Sequence, residues 1–377
     1  MKIGIISVND KSTNLLARGG TEVFSANLAY QLTKLGHKVF LFGSGDSIVE
    51  GVEIIGSTDE NLYDIQQNFE SERWDEIKNI FHVKNILMAK KYEDYVDIFH
   101  DNMSCSLSLS MLEIFSKPVV SSLHMPIDGL YRPSLLSKYI YNDNISYVVA
   151  SKFQKQFLPH NIKSSYIPNG INTCAFQKFG IKNDTEDMLW IGRINSCSPK
   201  GLDDAILAGI RTNKKLRYVG LIEDINYFKK NIKPILNNNV IEQRHFLSDE
   251  EKILFYRSGK VLLNPIKWEE PFGLTYIEAM AAGTPVISYA LGAAPEIVDD
   301  GETGLLVNYS KTQSRGNWII KKEGIEGLCE AIQYIYSLTE EEYLEMRKNC
   351  AQRAKEKFDV VKMAKSYENL YNTILNQ

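Results

Sequence analysis

The first 42 residues alternate between an apolar, an amphipathic and a second apolar segment, and this pattern constrains the fold most. Ile3–Val8 is a mostly β-branched apolar run, which is typical of a buried parallel strand. Thr21–Leu35 has apolar residues at helical spacing, and Gly36 is suited to end that helix. Lys38–Phe42 predicts a second strand. A strand, a helix and a strand within about 40 residues form a right-handed βαβ unit, so we expect a parallel sheet covered by helices.

The same alternation continues and divides the chain into two α/β halves. The first half adds a helix near Trp74–Lys90 and strands at Val96–His100, Pro118–Leu123 and Tyr147–Ala150. The turn signal Ile167-Pro168-Asn169-Gly170 places a domain boundary near residue 168. The second half contains a helix at Leu202–Ile210 and strands at Met188–Ile194, Leu216–Ile222, Val261–Asn264, Pro285–Tyr289 and Gly304–Val307.

Composition excludes several classes of protein. The 377 residues are 44% hydrophobic and 24% charged, which excludes a disordered chain, a collagen-like fibre and a disulfide-stapled miniprotein. A net charge of −4 argues against a nucleic-acid partner held by charge alone. Five scattered cysteines without a C-x-x-C pair indicate a reducing compartment. The sequence has neither a signal peptide nor an apolar run long enough to span a membrane, so we expect a cytoplasmic protein.

The strongest chemical signal lies in residues 270–287. A loop ends at Gly273, and helix-forming residues follow it. The N-terminus of that helix favours an anion such as phosphate, because its first N–H groups are unpaired and the helix dipole is positive there. Glu270 precedes this N-terminus, and Glu278 lies about one turn inside the helix. Both carboxylates are suited to accept hydrogen bonds from sugar or ribose hydroxyls; the alternative is a solvated loop glutamate and a surface helix glutamate.

Two cationic residues accompany this signal. Arg193 follows Gly192 at the end of a predicted strand, and Lys200 precedes Gly201 at the start of the next helix. An arginine offers a planar fork to a phosphate and a lysine a compact charge. A surface arginine and a helix-start lysine are the structural alternative.

These residues belong to four motifs that follow one another between residues 167 and 304. The motifs are Ile167-Pro168-Asn169-Gly170-Ile171-Asn172, Gly192-Arg193 with Lys200-Gly201, the pair Glu270 and Glu278, and Ala294-Pro295-Glu296-Ile297-Val298 with Gly301-Glu302-Thr303-Gly304. The set resembles the retaining GT-B glycosyltransferases of family 4, or glycosyl transferases group 1. The first half is similar more loosely, through Gly19-Gly20-Thr21-Glu22, His124 and Ser151-Lys152.

The resemblance implies an α/β GT-B fold with two Rossmann-like, doubly wound domains that face an interdomain cleft. Residues 1–168 would form the N-terminal acceptor-binding domain, and residues 169–358 would form the C-terminal domain that binds the nucleotide sugar. Residues 359–377 would form a terminal helix that packs back on the N-terminal domain. Val360–Leu375 carries an apolar stripe at helical spacing, and such a stripe needs a surface to cover it.

The resemblance also assigns roles to single residues. The implied catalytic residues are His124, Arg193, Lys200 and Glu270. Arg193 and Lys200 would bind the diphosphate of the donor, and the backbone N–H groups of Gly273, Leu274 and Thr275 would complete the phosphate site. Glu270 would contact hydroxyls of the donor sugar, and Glu278 would accept hydrogen bonds from the ribose.

In the first half, the implied site residues surround the loop after the first strand and the end of a later strand. Gly19 and Gly20 would let that loop approach the donor phosphate and the acceptor closely. His124 would line the cleft and contact the donor sugar. Arg18, beside the glycines, would meet an acidic or phosphorylated acceptor.

By this resemblance the protein is a hexosyltransferase of the EC 2.4 class that needs no metal and no cofactor. Its donor partner would be a nucleotide diphosphate sugar, with UDP-linked glucose or N-acetylglucosamine as the expected type. The acceptor would be a hydroxyl of a glycan, a lipid-linked molecule or a small molecule, with peripheral contact at the inner membrane face as an option. Retention in the family is explained by same-face attack, so no protein nucleophile is expected.

Other functions fit the sequence less well. A metal-dependent GT-A transferase needs an Asp-x-Asp motif, which the chain lacks. A nicotinamide dehydrogenase needs G-x-G-x-x-G after the first strand, where only Gly19-Gly20 occurs. A GT-B epimerase or phosphorylase and a non-catalytic nucleotide-sugar binding protein remain as alternatives.

Three features depart from the family pattern. Arg244–Leu247, the region expected to frame the base, lacks the glycine that is common in the family. The glycine pair that usually precedes the Pro-Glu motif is Gly292-Ala293, which adds a methyl group near the expected donor site. Residues 46–76 carry ten acidic side chains and one basic side chain, Arg73. We expect this stretch to interrupt the alternation of strands and helices as a solvated, mobile insertion; an acceptor-side lid or a partner surface is the functional alternative.

Overall fold

The computed structural model describes residues 1–15, 19–67, 73–103, 105–127, 142–177, 185–197, 199–236, 241–244 and 247–376. The chain forms two compact units. The first unit contains Met1–Gly170 and Val360–Gln377, and the second contains Ile171–Asp359.

The first unit is built on a seven-stranded parallel sheet with the strand order β3-β2-β1-β4-β5-β6-β7. Its strands are β1 (Lys2–Ile6), β2 (Lys38–Ser44), β3 (Glu53–Thr58), β4 (Ile98–Asp101), β5 (Val119–Leu123), β6 (Ile145–Val149) and β7 (Ser164–Tyr166). Its helices before the domain boundary are α1 (Gly20–Lys34), α2 (Leu62–Gln67), α3 (Trp74–Lys91), α4 (Ser106–Met111) and α5 (Lys152–Lys155). Short 3₁₀ turns lie at Glu93–Tyr95 and Leu112–Ile114.

The acidic stretch does not interrupt this sheet. β3 lies inside it and pairs in parallel with β2, for example Phe42 with Ile55. The expectation of an insertion that interrupts the alternation of strands and helices is therefore wrong for the part that the structure describes. The charged residues misled the prediction because β3 is an edge strand, whose outer side meets water and tolerates polar side chains.

The second unit repeats the design with a six-stranded parallel sheet in the order β10-β9-β8-β11-β12-β13. Its strands are β8 (Met188–Ile194), β9 (Leu216–Ile222), β10 (Ile241–Arg244), β11 (Val261–Leu263), β12 (Val286–Tyr289) and β13 (Gly304–Val307). Its helices are α6 (Thr173–Gln177), α7 (Leu202–Thr212), α8 (Ile225–Tyr227), α9 (Asp249–Ser258), α10 (Leu274–Ala281), α11 (Ala294–Ile297), α12 (Gly324–Ser337) and α13 (Glu340–Lys357). A π-helical turn covers Phe228–Ile232, and 3₁₀ turns cover Lys233–Ile235 and Lys311–Gln313.

Helix α14 (Val360–Leu375) completes the first unit from the end of the chain. Its residues Met363, Tyr367 and Tyr371 are buried among the side chains of α1 and of the sheet. Apolar residues on the other face of the sheet pack against α3 and α4. The first unit is thus a three-layer α/β/α sandwich, which is the arrangement that buries both faces of a parallel sheet.

Buried hydrogen bonds join α14 to the middle of the sheet. On β4, the His100 ring bonds Tyr371 Oη through Nδ1 at 2.6 Å and Ser122 Oγ of β5 through Nε2 at 2.7 Å. Ser122 Oγ also lies 2.9 Å from Tyr367 Oη. These polar groups are all buried, so each hydrogen bond offsets a desolvation cost that folding would otherwise leave unmet.

The two longest helices of the described ranges carry many charged residues. The long helices α3 and α13 have 18 residues each and carry charged residues along their length. Within the part of the chain that the structure describes, no helix combines the length and the apolar character needed to cross a membrane.

Candidate active site

Lys200 and Glu270 form an ion pair at the carboxyl end of the second sheet. Lys200 Nζ contacts Glu270 Oε2, and the two side chains are only 15% and 14% exposed. Lys200 Nζ also lies 4.9 Å from the centroid of the Trp268 ring. The Trp190 indole donates a hydrogen bond to the Lys200 carbonyl at 3.1 Å. Two of the residues predicted to share a site therefore meet directly, in surroundings where little water screens their charges.

The loop that carries Lys200 is fixed by Gly201. Gly201 has a φ of 73° and precedes the first residue of α7. A Cβ at this position would lie 1.9 Å from the Pro265 carbonyl oxygen, so the backbone approach requires glycine. Lys267 then bridges Asp203 at 2.7 Å and Asp204 at 2.8 Å in the first turn of α7. Sequence reasoning missed Lys267, which compensates the charge of two carboxylates close to the expected phosphate site.

Two hydrogen bonds join the segment around Glu270 to the Gly292-Ala293 loop. Ala293 donates its N–H to the Glu270 carbonyl at 2.9 Å, and Gly292 donates its N–H to Glu269 Oε2 at 2.6 Å. The other oxygen of Glu269 pairs with Arg315. Ala293 is fully buried, so the methyl group that departs from the family pattern is enclosed within the second unit.

Helix α10 begins at Leu274, four residues after Glu270. Gly273 is its N-cap residue and supplies no side-chain hydrogen bond, so backbone amides of the first turn are available at this end. The side chain of Asn264, which follows β11, donates to Thr275 Oγ1 at 3.0 Å. Asn264 was missed by sequence reasoning, although its place directly after a central parallel strand is a signal for a binding site.

Glu278 is held by two residues of α9. Lys252 Nζ lies 2.8 Å from Glu278 Oε1, and Tyr256 donates its hydroxyl to Glu278 Oε2 at 2.8 Å. Burial, together with the nearby Glu278 carboxylate, raises the pKa of Tyr256 well above its ordinary value. Tyr256 therefore stays a hydrogen-bond donor throughout the physiological pH range. Lys252 and Tyr256 stand four residues apart on one helix face, but only the fold reveals that Glu278 is their partner.

Arg193 forms an exposed pair with Glu223. It lies near the carboxyl end of β8, its side chain is 62% exposed, and its Nη1 is 3.5 Å from Glu223 Oε1. Its neighbour Gly192 packs close to the Lys200 side chain, because a Cβ built on Gly192 would lie 3.3 Å from Lys200 Cβ. Among the described residues, no cluster of three or more His, Cys, Asp and Glu side chains is arranged to hold a metal ion.

In the first unit, the glycine pair lies at the start of α1. Gly19 is the N-cap residue and Gly20 is the first helical residue, so the second glycine belongs to the helix rather than to the loop. The Glu22 side chain folds back onto Gly19, where a Cβ would lie 1.9 Å from Glu22 Oε2. Arg18, the expected acceptor contact, lies outside the described residues.

His124 follows β5 directly, as expected. Its ring packs edge-on against Phe24 with the ring centroids 4.5 Å apart. Burial of the ring lowers the pKa of His124 to about 4, so the imidazole is neutral at neutral pH. A neutral ring has one nitrogen to donate and one to accept a hydrogen bond, which suits contact with a hydroxyl.

Two family models match consecutive parts of the chain. The model described as "Glycosyltransferase Family 4" matches residues 18–174, and the model described as "Glycosyl transferases group 1" matches residues 173–357. The chain is also similar to the MMP α-(1→4)-mannosyltransferase of Mycolicibacterium hassiacum, with 25% identity over 363 residues that cover 81% of this chain and 85% of the relative.

Solved structures share the fold. The sucrose-phosphate synthase of Thermosynechococcus elongatus superposes with a TM-score of 0.75 at 18% identity, covering 100% of this chain and 99% of that chain. The Anabaena protein HepE, solved in complex with UDP-glucose, superposes with a TM-score of 0.67 at 17% identity, covering 99% and 100% of the two chains. The two Rossmann-like units are those of the GT-B fold. The chain is a glycosyltransferase and belongs to the group 1 family, as its motifs indicate.

Proposed function

We propose that this glycosyltransferase moves a sugar from a nucleotide diphosphate sugar to an acceptor hydroxyl, with retention at the anomeric carbon and without a metal ion. The Lys200–Glu270 pair beside the N-terminus of α10 is the observation that carries the proposal. It joins a cation and a carboxylate to the backbone amides of a helix N-terminus, which are the groups that a sugar diphosphate needs.

The diphosphate would be bound by the cationic part of this group. An ammonium group has three N–H donors, so Lys200 keeps donors for phosphate oxygens while it contacts Glu270. The first-turn amides of α10, from Gly273 to Thr275, would add neutral donors, and the exposed Arg193 would supply a planar fork. Because Lys200 already compensates Glu270, the carboxylate repels an incoming diphosphate less than an unpaired one would.

The two glutamates would bind hydroxyl groups of the donor. Each oxygen of a carboxylate accepts more than one hydrogen bond, so the existing partners of Glu270 and Glu278 leave room for hydroxyls. Glu270 would bind the sugar and Glu278 the ribose. His124, whose ring is neutral at neutral pH, would contact the sugar without adding positive charge, and Gly19 and Gly20 would border the acceptor.

The chemistry would rest on electrostatic stabilisation of the leaving group. The leaving diphosphate gains negative charge as the glycosidic bond breaks, and Lys200, Arg193 and the α10 amides would stabilise that charge. The anomeric carbon becomes cationic in the same transition state. The acceptor hydroxyl would attack from the face of the departing phosphate, which would take the hydroxyl proton. Glu270 is thus a binding group and not a nucleophile.

The proposed donor is a UDP-linked hexose of the glucose or N-acetylglucosamine type. The binding of UDP-glucose by the structurally similar HepE supports this donor, whereas the name of the Mycolicibacterium hassiacum relative points to mannose. The proposed acceptor is a hydroxyl of a glycan, a lipid-linked molecule or a small molecule.

A donor screen tests the proposal. Thermal unfolding is measured with UDP-glucose, UDP-N-acetylglucosamine and GDP-mannose, and the stabilising donor is then incubated with the enzyme while sugar release or transfer is followed. We expect stabilisation by one UDP-sugar, turnover that survives EDTA, and an anomeric product signal with the configuration of the donor. Stabilisation without turnover would identify a binding protein instead, and loss of turnover with EDTA would refute the metal-independent mechanism.

A further inference from the structure

The first sheet has a topological switch point between β1 and β4. β1 leads into α1, which covers one face of the sheet, whereas β4 leads into α4, which covers the other face. The loops that leave these two neighbouring strands therefore diverge at the carboxyl end of the sheet. In open α/β sheets a crevice lies where neighbouring loops diverge in this way, and ligands bind in it. The residues that follow β1 and β4 are thus candidates for contact with a ligand.

Asn102 is the first residue after β4. Its backbone N–H donates to the Ile6 carbonyl at 2.9 Å and continues the ladder between β1 and β4. Side chains alternate between the two faces of an extended strand. His100 lies on the face of α14, where it contacts Tyr371, and Asp101 lies on the other face, towards α4. The side chain of Asn102 therefore returns to the face of His100.

The side-chain amide of Asn102 makes no hydrogen bond. The residue is 0% exposed, and neither Nδ2 nor Oδ1 has a partner among the residues that the structure describes. At the corresponding place after β11 in the second sheet, Asn264 donates its Nδ2 to Thr275 Oγ1 at 3.0 Å. A buried amide without a partner destabilises a fold, whereas a leucine, which branches at the same atom, does not. An unpaired amide at a switch point indicates a ligand as its partner.

The groups beside Asn102 suit a neutral polyol. His124 lies on the same face, after the neighbouring strand β5, with its ring packed against Phe24 of α1. Burial lowers the pKa of both His100 and His124, so these imidazoles are neutral at neutral pH. An amide offers a donor and an acceptor side by side, and two neighbouring hydroxyl groups of a sugar can take one role each. A phosphate, in contrast, needs donors only.

We propose that Asn102 is a specificity-determining residue that binds neighbouring hydroxyl groups of a sugar at the switch point of the first sheet. This rests on the proposed function, because the sugar is either the hexose of the donor or the sugar that accepts it. A substrate without one of the two hydroxyls would leave the buried amide partly unpaired, and the enzyme would discriminate against it.

The first measurement asks whether the fold uses the amide. Thermal unfolding is compared for Asn102→Leu, Asn102→Ala and the control Asn85→Ala. Asn85 is equally buried in the same unit, but its Nδ2 donates to the Ser7 carbonyl at 2.8 Å. We expect the control to lower Tm by about 2–4 °C. Asn102→Leu should leave Tm unchanged or raise it, because an apolar group replaces an unpaired amide, and Asn102→Ala should lose less than the control.

The second measurement follows the amide itself. In full-length protein labelled with ¹⁵N-asparagine, the side-chain NH₂ signal of Asn102 is the one that is absent from Asn102→Leu. The labelled protein is titrated with UDP, UDP-glucose and UDP-N-acetylglucosamine. Glucose, mannose and N-acetylglucosamine are then added separately to the protein with the UDP-sugar bound. We expect the Asn102 signal to move with a sugar and to stay in place with UDP alone.

The two sources of the sugar give different results. Movement with a UDP-sugar identifies the donor hexose as the source of the hydroxyls, whereas movement only after a free sugar is added identifies the acceptor. In either case Asn102→Leu should lower kcat/KM at least about tenfold while the protein stays folded.

Two results would overturn the role of Asn102. One is a loss of Tm in both Asn102 variants that equals the loss in Asn85→Ala, since the fold would then use the amide. The other is an Asn102 signal that none of these compounds moves in a protein that UDP stabilises. A protein that neither UDP nor any UDP-sugar stabilises would instead contradict the proposed function, so the two failures are distinguishable.

Discussion

Glu278 shows how a single side chain is prepared before any ligand arrives. Lys252 and Tyr256 each hold one of its carboxylate oxygens at 2.8 Å, so the carboxylate is already oriented. Fixing a long side chain in one conformation costs conformational entropy. The Glu278 side chain loses this entropy when the protein folds, so donor binding does not have to order it. We therefore expect the two α9 residues to affect donor affinity without contacting the donor.

Tyr256→Phe tests this orientation. The variant keeps the buried ring and removes one hydrogen bond to a charged group, which costs about 1.5–3 kcal/mol when the group is buried. We expect the donor dissociation constant to rise roughly tenfold with little change in kcat, because the ribose is bound equally before and during the reaction. The matched control is Tyr343→Phe, whose hydroxyl bonds the Lys260 carbonyl in the same unit. An equal loss of donor affinity in both variants would show a general effect on stability.

The loops that join strands to helices position Glu270 through backbone contacts. Gly292 has a φ of 56°, and a Cβ there would lie 2.3 Å from the Glu270 carbonyl oxygen. Gly324 has nearly the same φ of 54°, but the nearest atom to a Cβ there is 3.4 Å away. An alanine at either position would therefore adopt the same strained backbone conformation. Only the alanine at position 292 would also clash with the Glu270 carbonyl.

Comparing Gly292→Ala with Gly324→Ala isolates the contact with Glu270. Both variants lose about 1 kcal/mol to left-handed backbone strain. Gly292→Ala should lose a further 1–3 kcal/mol, approximately the cost of overpacking, and should bind the donor more weakly. Denaturant unfolding and donor titration measure the two effects. Similar losses in both variants would mean that the Gly292 loop does not constrain Glu270.

Elements with strong local signals could be predicted from the sequence. β8, β9, β13 and α14 have the predicted bounds, because apolar runs mark the strands and an apolar stripe at helical spacing marks α14. The prediction failed at β3, which is an edge strand in an acidic stretch, and missed the short strands β7 and β10. Such strands are stabilised by pairing with a neighbouring strand, and the periodicity of apolar residues along the sequence does not show which segments pair.

The site could be predicted only in part, for a similar reason. Motif positions indicated Lys200 and Glu270, and the two residues are in contact. The prediction missed the supporting residues Lys252, Lys267 and Glu269. Each forms an ion pair with a residue far away in the chain, and such pairs leave no recognisable spacing in the sequence. Gly20 was expected in a loop and lies in α1, since an N-terminal helix boundary is difficult to place within one residue.

In the first unit, two histidines make the free energy of unfolding depend on pH. Burial lowers the pKa of His100 to about 3, with a further contribution from the nearby His124, and burial lowers the pKa of His124 to about 4. Both rings stay neutral in the folded state while the unfolded chain binds protons below about pH 6.5. The contribution of these two histidines to stability is therefore fully present above that pH and falls as the pH decreases.

The loss begins near pH 6.5 and continues until the pH reaches the folded-state pKa values of about 4 for His124 and about 3 for His100. Between about pH 6.5 and pH 5, His100 alone should reduce the free energy of unfolding by about 2 kcal/mol. His82 has a raised pKa and is protonated in both states below its unfolded value, so it does not contribute to this change. Urea unfolding at several pH values gives the slope, and His100→Gln should flatten it, because an amide can replace the hydrogen bonds to Ser122 and Tyr371 without titrating. An identical slope in the variant would exclude His100 as the source.

The most direct measurement compares Lys200→Ala with Lys348→Ala in donor binding and turnover. Lys200 is largely buried against Glu270, whereas Lys348 forms an exposed pair with Glu345 in the same unit. If the Lys200–Glu270 group holds the donor diphosphate, Lys200→Ala should weaken donor binding and lower kcat/KM by about 100-fold or more, while Lys348→Ala behaves like the wild type. Unchanged donor affinity and turnover in a folded Lys200→Ala variant would show that the diphosphate is bound elsewhere.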